Sequence, residues 1–163
     1  MKSYIFRVLA ILWMVVIFWF SSCPAEESGS MSHSVGYTIG KLVIPDFENL
    51  PEQKQAAFAD RIDYPVRKAA HVTEFAILGF LLAGSVFGSS GRQLTKAQLR
   101  NLSAAALAVG FAYACSDEIH QIFVPGRAGR FSDVLIDSAG VLLGIVAFRL
   151  LRRFCRRINR SDA

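Results

Sequence analysis

His71 and His120 each stand three residues from a carboxylate, in His71-Val-Thr-Glu74 and Asp117-Glu-Ile-His120. Imidazole exchanges protons near neutral pH, so a histidine in such company can serve as a general base or nucleophile. Related polar residues recur around the two pairs. Arg67, His71 and Glu74 are four and three apart, which puts them on one stripe of a helix. Asp117, His120 and Gln121 make a second stripe, and Asp133 with Asp137 a third. Between the second and third runs Phe123-Val124-Pro125-Gly126-Arg127, in which Pro125 and Gly126 favour a type II turn that would aim Arg127 back over the stripes. A guanidinium bonds two oxygens at once, a geometry suited to phosphate. The chemistry these types describe is proton transfer on a phosphate-bearing substrate. His71 or His120 would be the base or nucleophile and Asp117 or Asp137 would orient it, while Arg67, Glu74, Gln121, Arg127 and Asp133 would bind the substrate.

Plainer accounts compete with this one. A single charge at a helix end can be solvated at the interface, and an aspartate near a helix start complements the dipole. Glu118 and Arg130 lie off the shared stripes or in the loop and read as bystanders. Carboxylate-bridged metal sites in helical bundles use Glu-x-x-His spacing, but here the order is reversed in one pair and Asp replaces Glu in the other. No metal and no other cofactor is expected.

The elements that would carry the stripes are membrane helices. The chain of 163 residues is 53% hydrophobic with 13 Phe, and its apolar residues fall in long blocks rather than in the short periodic runs of a soluble core. Four spans read out at 4–22, 66–87, 99–116 and 133–151. Pro65 suits a first helical turn opening the second, and Gly140 with Gly144 offers a close-packing face on the fourth. The first run is longer than a signal-peptide core and reads as a retained anchor, although Lys2 and Arg7 precede it and Phe20-Ser-Ser-Cys23 ends it. Between spans one and two, a flexible polar stretch, CPAEESGSMSHS, leads to an amphipathic turn with Val35, Ile39, Leu42 and Val43 on one face. A short helix after Pro51 would turn Phe58 and Ile62 inward.

The net charge of +5 is concentrated at one side of this arrangement. Lys2 and Arg7, then Arg92, Lys96 and Arg100, then the tail 152–163 with Arg152, Arg153, Arg156, Arg157 and Arg160 would all lie in the cytoplasm if four spans are threaded. Both termini are therefore expected inside and the polar stripes at the outer face of the membrane. A basic tail just after an apolar block anchors to anionic headgroups, and no nucleic-acid partner is expected. Cys23, Cys115 and Cys155 show neither metal spacing nor a disulfide framework.

FSSCPAEESGSMS after the first span, VRKAAHVTEFAILGFLL in the second and DEIHQIFVPGRAGRFSDVLIDSAGVLLG towards the end together resemble the VanZ-like family. These are small bacterial membrane proteins named for a teicoplanin-resistance factor. The resemblance implies a single all-α membrane domain over 1–163 in the cell envelope, and matches Arg67, Lys68, His71, Glu74, Asp117, Glu118, His120, Gln121, Arg127, Asp133 and Asp137 to family positions. Two functions of different class are compatible with it. One is a hydrolase or transferase acting on the headgroup of a membrane or polyprenyl-phosphate lipid, with a link to glycopeptide resistance. The other is a non-catalytic binder that shields a lipid-linked wall precursor or assists a partner protein.

Overall fold

In a computed structural model, residues 2–88 and 94–161 are described. Five α-helices follow one another: α1 (Lys2–Ser22), α2 (Ala25–Val43), α3 (Glu52–Phe87), α4 (Lys96–Gln121) and α5 (Phe131–Ser161), with a short 3-10 turn at Phe47–Asn49. No strand occurs among the described residues. Among the described residues, four segments are long and apolar enough to cross a bilayer: Ser3–Ser22, Glu52–Phe87, Lys96–Gln121 and Phe131–Ile158. The protein is an all-α, multi-pass membrane bundle. Arg92 in the basic loop, and the side chains of Lys2 and Arg160, lie outside the described residues.

α1 has neither Gly nor Pro and runs until Pro24, which cannot continue it. α4 starts at a capping box, with Thr95 Oγ1 accepting from the Gln98 amide and Gln98 Oε1 accepting from the Thr95 amide. It continues through Gln121, so the whole Asp117–Gln121 stripe is helical. α5 carries Asp133 in its first turn and extends well past Leu151 into the basic tail. Its Ala, Leu and Arg residues favour helix, and no proline stops it.

One expectation for the segment between the first two spans needs correction. CPAEESGSMSHS is not a loose stretch, because α2 begins at Ala25 and includes most of it. Val35, Leu42 and Val43 stay exposed on one face, and the helix packs through the small stripe Ser32, Gly36 and Gly40 on another. An added Cβ at Gly36 would sit 3.1 Å from the Ala59 backbone, and one at Gly40 would run into the Phe47 ring. Small residues thus let α2 lie close against α3. Side-chain bonds from Ser32 to Asp63 and between His33 Nε2 and Asp60 Oδ1 (2.6 Å) fix the register. The exposed apolar side chains of α2 form the face that an interfacial helix offers to lipid.

Pro65 does not open a helix either: it lies inside α3, which is continuous from Glu52 to Phe87. The proline removes one backbone hydrogen bond. Asp63 and Arg67 join across it as an i,i+4 ion pair at 2.6 Å, and packing of Ala59, Phe58 and Asp63 against α2 and the Phe47 turn supports the helix on the other side. Tertiary contacts outweigh the local break.

α3 and α5 are the closest pair in the bundle. A Cβ on Gly140 would lie 2.6 Å from the Val72 carbonyl oxygen, one on Gly144 would overlap the Ala76 carbonyl, and one on Gly79 would overlap the Val141 backbone. The two backbones touch where side chains would normally keep them apart. Phe75, Leu78, Val141 and Ile145 are fully buried around this seam, and Ile17 of α1 and Ala114 of α4 complete the core. α1 is built into the bundle along its length. Ser3 donates to the Ser85 carbonyl, Trp13 Nε1 to the Glu74 carbonyl at 2.8 Å, and the Tyr113 hydroxyl to the Met14 carbonyl at 2.6 Å.

Candidate functional site

The ends of α1 and α4, the middle of α3 and the start of α5 meet at one end of the bundle. From Asp133 to Arg153, α5 rises about 30 Å, the thickness of a hydrocarbon core. Asp133 therefore stands near one boundary and the arginine-rich end near the other, and Asp137 is one turn inside the apolar layer. Charged groups at that depth are expensive and tend to be functional.

The link between α4 and α5 is the type II turn that Pro125 and Gly126 predict. The Arg127 amide bonds the Val124 carbonyl at 3.1 Å, and Gly126 has φ of 73°, a conformation that a side chain would strain. The Pro125 carbonyl in turn accepts from the Ala25 amide at 3.1 Å, tying the start of α2 to the turn. Arg127 does swing back over the bundle end. Its Nε donates to the Cys23 carbonyl at 2.8 Å and its Nη2 reaches the Phe20 carbonyl at 3.4 Å, so one face of the guanidinium caps the C-terminal end of α1.

Beneath this cap lies a triad. His71, Asp117 and Asp137 come from α3, α4 and α5, and one ligand-type atom from each lies within 4.8 Å of the others. His71 Nδ1 is 3.8 Å from Asp137 Oδ1. Asp117 and Asp137 are 3% and 1% exposed. His71 Nδ1, Asp117 Oδ1 and both Asp137 oxygens are buried without a hydrogen-bond partner. Asp117 is oriented from behind, since Ser21 Oγ and Gln121 Nε2 both donate to its Oδ2 at 2.9 Å. Those two bonds leave Oδ1 for the triad.

His71 also lines two adjoining cavities, of about 280 and 190 Å³, which share Ser28, Arg67, His71 and Arg127. The larger is rimmed by Arg67, Lys68, Arg127, Arg130 and Asp133, and has Gln121 in its wall. The smaller lies between α1, α2 and α3, with Phe20, Met31, Val35 and Val66 among its lining and Glu74 at its edge. One compartment is cationic and the other largely apolar.

The structure thus gathers His71, Asp117 and Asp137 at a centre, and Arg67, Glu74, Gln121, Arg127 and Asp133 around it. It does not bring in His120. That ring shares a hydrogen bond with Ser22 Oγ at 3.0 Å, lies tilted against Phe18 with centroids 4.3 Å apart, and lines neither cavity. Nor does either sequence pair, His71 with Glu74 or Asp117 with His120, form the cluster. Glu118 holds the loop by accepting from the Arg130 amide at 2.7 Å.

Sequence reasoning missed Ser21 and Ser22, whose hydroxyls serve Asp117 and His120 from another span. Two adjacent serines closing an apolar helix were the available signal. It also left Lys68 outside the site, although its ammonium pairs with Asp133 at 2.6 Å and lies over the Tyr64 ring. Cys23, Cys115 and Cys155 are free thiols.

No curated protein and no solved structure matches this chain. The VanZ/LLP1 family model matches residues 6–152, which takes in the triad, the rim and all the helices that carry them. The chain belongs to the VanZ/LLP1 family.

Proposed function

We propose that the protein is an enzyme of the bacterial cell envelope that acts on the phosphate-bearing headgroup of a membrane lipid, of the polyprenyl-phosphate class, at the outer leaflet. The observation that carries this reading is His71, backed by two buried carboxylates, in the wall of a cavity rimmed by Arg67, Lys68, Arg127 and Arg130. Four cations at one opening suit an anionic oxygen cluster. The neighbouring apolar cavity between α1, α2 and α3 suits the first segment of a hydrocarbon chain. His71 would accept the proton of the attacking water or acceptor hydroxyl while Asp117 or Asp137 steadies the imidazolium. Orientation with both termini inside, and a contribution to teicoplanin resistance, are parts of the same proposal.

The test is turnover of polyprenyl diphosphate by the full chain in nanodiscs, followed as released phosphate. His71→Ala should remove it and Arg67→Ala should raise KM. Full turnover by His71→Ala would end the catalytic reading. A second reading, a binder that shields a lipid-linked wall precursor, is favoured by the cations already paired within the protein, Arg67 with Asp63 and Lys68 with Asp133. It predicts lipid binding with no turnover, and comparable partial losses of binding from several rim substitutions.

A further inference from the structure

We infer that His71 Nδ1, Asp117 Oδ1 and the Asp137 carboxylate form a binding site for one divalent transition-metal cation. Three lines of geometry converge on it. The three residues come from three different helices, and one ligand-type atom of each lies within 4.8 Å of the others. A tetrahedral cation with bonds of about 2.0–2.2 Å needs donors roughly 3.4 Å apart. The His71–Asp137 separation of 3.8 Å is already close to that, and side-chain rotation supplies the rest.

The second line is the absence of any other bond for these atoms. Among the described residues, the buried side-chain atoms lacking a hydrogen-bond partner are His71 Nδ1, Asp117 Oδ1 and the two Asp137 oxygens, all in this one cluster. Buried polar groups are normally bonded, and a carboxylate with neither oxygen bonded (Asp137) beside one with a single oxygen bonded (Asp117) is a costly arrangement in an apolar layer. A dication between them cancels their charge and gives His71 Nδ1, Asp117 Oδ1 and the Asp137 carboxylate the partner they lack.

The third line is the pre-orientation of Asp117. Ser21 and Gln121 both hold Oδ2, which fixes the carboxylate plane and leaves Oδ1 for the centre. Ligating carboxylates are themselves held by outer hydrogen bonds of this kind. His71 lines both cavities, so a fourth position would be reached from the side where a water or a phosphate oxygen arrives. One imidazole with two carboxylates favours Zn²⁺, Mn²⁺ or Co²⁺ over Mg²⁺ and Ca²⁺, which prefer all-oxygen sites.

The cation site stands on this geometry alone. Its use as a Lewis acid on a headgroup phosphate rests on the reading of function above. With a cation bound, His71 is a ligand and activation of water passes to the metal.

The experiment uses the full chain in nanodiscs, stripped with chelator and then titrated with Zn²⁺ or Mn²⁺ alone. One equivalent should bind. Asp117→Asn and Asp137→Asn should each weaken binding by about 100-fold or more, and Ser21→Ala by about 10-fold. Asp63→Asn, outside the cluster, should leave binding unchanged. Mn²⁺ bound to the wild-type protein should show electron-spin coupling to one imidazole nitrogen, a readout that needs no variant to fold. Wild-type binding no tighter than that of an Asp117→Asn, Asp137→Asn double variant, or Mn²⁺ without nitrogen coupling, overturns the site. Metal binding without lipid turnover keeps the site and removes the enzyme reading. Turnover by stripped protein that binds no metal does the reverse.

Discussion

Gly140→Ala tests the seam between α3 and α5 and the site together. The new methyl would stand 2.6 Å from the Val72 carbonyl oxygen and 3.1 Å from Phe75 Cβ. Carbon and carbonyl oxygen rest at about 3.3–3.6 Å, so the helices must part by roughly 0.8 Å. The obstructing atom belongs to the backbone and cannot rotate away. Overpacking of this kind costs about 1–3 kcal/mol, and the gain from replacing Gly by Ala in a helix returns at most about 1 kcal/mol. At the middle of these ranges a net loss of about 1 kcal/mol is expected. Gly29→Ala is the control, since nothing lies within 4 Å of its added Cβ, and it should be neutral or stabilising. Reversible unfolding in bicelles by steric trapping measures both. Asp137 precedes Gly140 by less than a turn on the same helix, so the same retreat draws its carboxylate away from His71. Misplacement by about 1 Å can cost about 100-fold in rate, and turnover should fall further than stability does. If Gly140→Ala is as stable as the wild type while Gly29→Ala behaves as stated, the backbone contact between α3 and α5 is not there.

The two histidines should separate in function: His71→Ala should abolish turnover, whereas His120→Ala should keep it within several-fold and cost about 1 kcal/mol of stability for its lost bond to Ser22, both read from the same purified samples. Arg127→Ala should lower the melting transition by an amount equivalent to about 1.5–3 kcal/mol, because two carbonyls at the end of α1 lose a charged donor; an unchanged transition would show that the cap carries no weight. For topology, a membrane-impermeant maleimide applied from outside should label a cysteine placed at Ser30, which is exposed, and should spare the native exposed Cys155. Labelling of Cys155 in intact cells would invert the assignment.

The four spans and the matched depth of the polar stripes were legible because both depend on position along the helix, which rise per residue fixes. Rotation about the helix axis was not legible. On α4, His120 and Gln121 differ by about 100° in direction, and that one step sends Gln121 onto Asp117 and His120 onto Ser22 and Phe18. Sequence spacing put them on one stripe, yet neighbouring helices decide which edge of a stripe faces the centre. The same holds for Gly140 and Gly144, which signalled a close approach without naming α3 as the partner. Pro65 misled for a different reason, since its local penalty is real and is offset by contacts with α2 that no local pattern contains.

The bond from Ser21 to Asp117 joins the first transmembrane helix to the third, and Asp137 arrives only with the fourth. During synthesis the helices leave the ribosome in order, so α1 and α4 can make their contact while α3 still lacks the surface that its glycine and the glycines of α5 create between them. A chain halted after α4 would leave Asp117 and His71 facing lipid or one another with no Asp137 and no seam to hold them. Completion of the centre is thus coupled to insertion of the final helix.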